Sequence, residues 1–170
     1  MSGVDSFLAP WSGCLGHELT DCWIHAMAFP DVPAHDPELL WEVGLEFAHS
    51  TPLFLQYGSQ EGGCGLRTSS RSVAPERHHF ISGAEFSPVG TAIGSPLLRY
   101  RLFGGEDLPC ALWLTFETHS LVVGVADIDT QDGIQRVNSW SEDLHCWSAE
   151  QFESLLGSCP IECVRDVRAG

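Results

Sequence analysis

Basic residues are scarce. There are eight against 23 acidic ones, for a formal net charge of −15. A field of that sign repels phosphate backbones and anionic lipid, which excludes nucleic acid and membrane as natural partners and favours a cationic one. Long apolar runs are also missing. None approaches the ~20 residues that cross a bilayer. Met1 to Trp11 has neither the basic region nor the apolar stretch of a secretory signal, so the chain reads as cytoplasmic where it is made. Export by a dedicated secretion machine would leave no mark of this kind. No CxxC or HxxxH spacing occurs, so no metal and no cofactor is expected.

What is present points to one folded domain spanning 1–170. Hydrophobic residues make up 44% of the chain, enough for a core, and its 170 residues suit a single unit. The seven cysteines, Cys14, Cys22, Cys64, Cys110, Cys146, Cys159 and Cys163, are an odd set, so at least one thiol is free. Without a signal segment they read mainly as small, reduced core residues.

Residues 1–20 read as loop. Thr20-Asp21 resembles a helix cap before the apolar run Cys22 to Phe29, which Pro30 and Pro33 end. A second helix is expected from Asp36-Pro37, with Leu39, Leu40, Val43 and Phe47 on one face, up to Pro52. Leu53 to Tyr57 reads as a strand, 58–75 as a long surface loop and His79 to Ser82 as a weak strand. Strands are then expected at Leu97 to Phe103, Ala111 to Glu117 and Leu121 to Ile128. A turn at Asp129 to Gly133 leads to a returning strand, Ile134 to Trp140. A helix from Ser148 to Leu156, capped by Ser148, and a last strand from Ile161 to Val167 complete the chain. Helices first and an antiparallel sheet second make an α+β arrangement.

Three residues stand out chemically. Cys22, at an expected helix start, would have its thiolate favoured by the helix dipole. His119 opens the apolar strand Leu121 to Val125, where it would be held rigidly. Asn138 lies on the strand returning from the 129–133 turn. An amide there can fix the tautomer of a neighbouring imidazole. Taken together, Cys22-Trp23, His119 before a strand ending at Gly124, and Asn138-Ser139-Trp140 resemble the papain-like cysteine peptidase family in the order that family uses. The run Cys146-Trp147-Ser148 leading into a helix is similar to compact bacterial relatives. The likeness covers 16–29 and 117–156.

The resemblance implies a papain-like fold with N-terminal helices packed on an antiparallel β-sheet. It implies Cys22 as nucleophile, His119 as base and Asn138 as the group orienting that base. Trp23 belongs to the nucleophile motif, and Trp140 would shield the Asn138–His119 hydrogen bond. The family's oxyanion-hole glutamine falls on Gly16, so His17 or Gln60 would have to complete that hole. The activity implied is amide cleavage by a thiol hydrolase acting on a protein or peptide: a protease, a peptide-processing enzyme, or a glutamine deamidase delivered as a toxin or effector. An acyltransferase on the same scaffold is one alternative, and a non-catalytic acidic binding or immunity protein is another. Three rival clusters are the Gln60–Gly65 loop around Cys64, the pair His78-His79, and the calcium-like spacing of Asp127, Asp129 and Asp132. They read as surface loop, opposed strand residues and solvated turn.

Overall fold

Strands, not helices, make up most of the described first half of the chain. A computed structural model describes residues 3–26, 39–60, 63–70, 81–82 and 89–170. Among these, strand accounts for 60% and helix for 16%. The fold is a curled antiparallel half-barrel, which corrects the expected α+β papain-like arrangement with N-terminal helices.

The correction falls on two segments. Leu19–Ala26 is strand β1 and Leu40–Phe47 is strand β2, paired antiparallel with Cys22 opposite Leu45. In the second segment Leu40, Val43 and Phe47 fit a helical stripe. Val43, Leu45 and Phe47 fit one sheet face equally well, and Gly44 disfavours a helix interior. A large inward sheet face settles the choice, because tertiary burial outweighs local propensity. The described residues of the expected 58–75 loop instead belong to a hairpin: β3 (Leu53–Gln60) and β4 (Gly63–Ser70) pair along their whole length, and 61–62 and 71–75 lie outside the described residues. Gly65 is needed there. A Cβ on it would lie 2.5 Å from Leu108 Cγ and 2.7 Å from the Pro109 carbonyl oxygen. The segments 27–38, 71–80 and 83–88, including His78-His79, lie outside the described residues.

The second half follows the expectation closely. After β5 (Ile81–Ser82) come β6 (Leu97–Gly104), β7 (Pro109–Phe116), β8 (Ser120–Gln131) and β9 (Ile134–Ser148). Helix α2 (Ala149–Ser158) and β10 (Cys163–Arg168) follow, and a short α1 (Gly3–Leu8) opens the chain. Asp132 and Gly133, both at positive φ, form the two-residue turn between β8 and β9. Ser148 caps α2 through a reciprocal pair: its hydroxyl accepts from the Gln151 N–H, and its own N–H donates to the Gln151 side chain.

The strands run β10-β6-β7-β8-β9-β2-β1-β5, with β3 added to β2 and β4 to β3. Both faces are covered, so β7 and β8 read as continuous apolar runs. The inner face carries Cys22, Leu45, Leu55, Leu112, Leu114, Val123 and Leu144, closed by Phe7 and Trp11 from the N-terminus. The outer face of β7 to β9 carries Trp113, Trp140 and Trp147, packed on Phe152 and Leu155 of α2.

The sheet forks at β2. One edge of β2 pairs with β1 from Leu40 to Phe47. The other edge is shared: Glu42 to Leu45 pair with β3, whereas β9 meets it only at Leu40, opposite Leu144. Trp41 stands between the two branches.

Candidate functional site

Cys22 is fully buried on β1 in the inner core. Its backbone N–H donates to the Asp21 carboxylate at 2.8 Å, so Asp21 caps the strand locally instead of a helix. Burial pushes the Cys22 thiol up to about 12, and the Asp21 charge adds to the rise. A thiol held neutral in apolar surroundings is inert as a nucleophile.

His119 sits in the turn between β7 and β8, where its carbonyl accepts the Phe116 N–H at 2.8 Å. Both ring nitrogens are occupied. Nε2 hydrogen-bonds with Thr91 Oγ1 at 2.9 Å and Nδ1 with Thr118 Oγ1 at 2.8 Å. Asn138 is exposed on β9 and donates from Nδ2 to Asp127 Oδ2 at 3.3 Å. The register explains why it does not reach the histidine. Leu121, beside His119, faces Ser148, whereas Ser139, beside Asn138, faces Asp127. From His119 to the level of Asp127 is eight residues, roughly 26 Å of strand. Described hydrogen bonds link none of the three residues to another.

The supporting residues are dispersed as well. His17 meets the edge of the His49 ring at 6.1 Å, and its backbone joins β6 through Leu97. Trp23 stacks on Phe54 at 6.2 Å. Trp140 is an outer-core residue whose Nε1–H donates to the Cys159 carbonyl at 2.8 Å. Gln60 lies at the end of β3 in the hairpin with Gly63, and nothing is described of its side chain. Cys64, of the rival loop, lies on β4 and accepts a hydrogen bond from the Tyr57 hydroxyl at 2.8 Å. Among the described residues, no group of three histidine, cysteine or acidic side chains is placed to hold a metal ion. All seven thiols are free.

No family model, curated protein or solved structure matches the chain.

Two features of the surface stand out. A cavity of about 410 Å³ opens between α1, β4 and the β6–β7 loop, lined by Ser6, Phe7, Leu66, Thr68 and Asp107 among others. Thr68 Oγ1 is buried there without a hydrogen-bond partner. Neither histidine nor cysteine lines the cavity, so it offers no thiol or imidazole for catalysis.

The second feature is the fork. Trp41 is 57% exposed and Tyr57 39%; with Leu98 and Ile134 they are the large hydrophobic side chains that face solvent among the described residues, and the two aromatic ones. The β1–β2 register skips Trp41 between the pairs His25–Glu42 and Ala26–Leu40, so Trp41 is the extra residue of an irregularity in β2, at the point where β3 and β9 diverge.

The surrounding field is strongly negative. Between described residues, the ion pairs are Arg99 with Asp166 and Arg165 with Asp5, both toward β10. No described helix is long and apolar enough to cross a membrane.

Proposed function

We propose that the protein is a non-catalytic binding module for a cationic protein partner, of the kind that an immunity or inhibitor protein provides. The observation that carries this reading is a net charge of −15 on a chain whose described ion pairs engage few of its carboxylates. A surface of one sign speeds encounter with an oppositely charged partner and rejects wrong ones. The thiol-hydrolase and acyltransferase expectations both need a reactive thiolate at Cys22 next to a free imidazole. The buried thiol and the twice-bonded His119 ring support the binding reading over them.

Two measurements test it. The first is labelling with a thiol-alkylating probe at pH 6, mapped by mass. Exposed Cys163 and half-exposed Cys64 should label first and Cys22 last; preferential labelling of Cys22 would restore the hydrolase. The second is binding of a nona-arginine peptide. Cys22→Ala should leave it unchanged, and raising salt should weaken it steeply.

A further inference from the structure

Trp41 occupies a gap that the sheet itself creates. Extending the Glu42–Gln56 register of β2 and β3 by one residue sets Trp41 opposite Tyr57. Extending the Leu40–Leu144 bridge by one residue sets it opposite Asp143 on β9. One strand edge cannot pair with two neighbours at the same point, so the branches part. The two registers thus set Trp41 level with Tyr57 on β3 and with Asp143 on β9.

Strand β9 is distorted at this place. Asp143 faces Ala126 and Ser139 faces Asp127, so Trp140, Ser141 and Glu142 have no partners on β8. Glu142 takes a φ of 82°, a conformation that a residue with a Cβ adopts at a cost. A bulge of this sort re-aims side chains. Trp140 lies in the outer core, and β9 approaches β3 here, near enough for the charges of Glu142 and Asp143 to act on Tyr57. The Tyr57 phenol registers the result. Its hydroxyl is held above the ordinary phenol range first by the hydrogen bond to Cys64, with the charges of Glu142 and Asp143 contributing further.

An exposed indole, an exposed phenol and two carboxylates around one gap are matched by a cation with a flat or alkylated head. Tryptophan offers the best aromatic face to such a cation, and arginine is the commoner partner. Tryptophan, tyrosine and arginine are also the residues that dominate protein interfaces. We propose that the fork formed by Trp41, Tyr57, Glu142 and Asp143 is the contact point for an arginine side chain of a cationic protein partner. This inference rests on the binding reading above and adds the place and the chemistry of the contact.

The test uses the full chain and a fluorescein-labelled nona-arginine peptide at low salt, followed by anisotropy. Trp41→Ala should weaken binding about tenfold or more, equivalent to about 1.4 kcal/mol. Glu142→Gln/Asp143→Asn should do the same. The control Glu117→Gln/Glu162→Gln removes the same charge from exposed positions elsewhere and should cost less than about threefold. Trp41→Phe, which keeps an aromatic face, should retain most of the affinity. Urea midpoints equal to that of the parent establish that each variant is folded.

The results separate the two claims. A peptide that binds with equal loss in both acidic pairs and no loss in Trp41→Ala would overturn the fork and leave the binding module standing. A peptide that fails to bind the parent would overturn both. Sedimentation of the free protein covers the remaining occupant: a dimer that Trp41→Ala dissociates would make the fork a self-interface and end the proposal.

Discussion

Raising the pH should destabilise this protein through its buried thiols, with a size that the structure sets. Burial holds Cys22 at about 12. It holds Cys14 at about 11, offset in part by a hydrogen bond with Ser50. In the unfolded chain both ionise near 8.5. The folded values are raised, so the contribution is complete below about pH 8.5 and is lost as pH rises toward the folded values. Each thiol removes about 1.4 kcal/mol per pH unit in that window, and the pair about 2.7. Between pH 8.5 and 10 the loss is roughly 3 kcal/mol, a large part of the 5–15 kcal/mol typical of a domain. Cys146 is also raised by burial and steepens the fall. The assay is urea unfolding at half-unit pH steps, under reductant. The double variant Cys14→Ala/Cys22→Ala should start lower at pH 7 and then decline more gently, by about 2.7 kcal/mol per unit. Parallel curves would refute the argument. A parent stability that rises between pH 6 and 9, and does so only with Cys22 present, would mean a native thiolate and bring back the catalytic reading.

Further outcomes follow from the outer core and the hairpins. Phe152 is fully buried and meets the rings of Phe103, Trp113, Trp140 and Trp147, so Phe152→Ala should cost about 3–5 kcal/mol in urea unfolding. Ser148→Ala removes one half of the α2 cap and should cost about 1 kcal/mol by the same assay. Gly65→Val forces a side chain into Leu108 and the Pro109 carbonyl. It should lower the melting temperature clearly more than the same change at Gly13, where nothing lies within 4 Å.

What could be read from the sequence divides at about residue 97. Beyond it, each strand is either fully apolar or bounded by turn residues, and Asp132-Gly133 and Ser148 mark their sites by local chemistry alone. Before it, the segment from Leu40 to Phe47 satisfies both periodicities, and proline punctuation mimicked helix ends. Choosing correctly needed the partner strands, which are information at a distance. The candidate triad failed to assemble for a related reason. Three short motifs in the right order carry no register, and the β8–β9 pairing holds His119 and Asn138 at different levels of the same hairpin. The fork was invisible because no local pattern marks the register shift that makes Trp41 an extra residue between Leu40 and Glu42. Its exposure arises only where two neighbouring strands compete for one edge.

That competition also bears on how the molecule opens. Everything from β6 to α2 is joined by consecutive hairpins and carries its own outer core, whereas β1 to β4 form a second set of hairpins. Between β9 and β2 the described backbone ladder consists of the one bridge at Leu40. The two groups thus behave as cooperative units with a thin hydrogen-bonded seam between them, held mainly by shared side-chain packing. Amide exchange should reflect that division. Protection should be deepest in β7 and β8 and lower at Leu40 and Leu144, so that the half-barrel loosens along this line before either group of strands unravels.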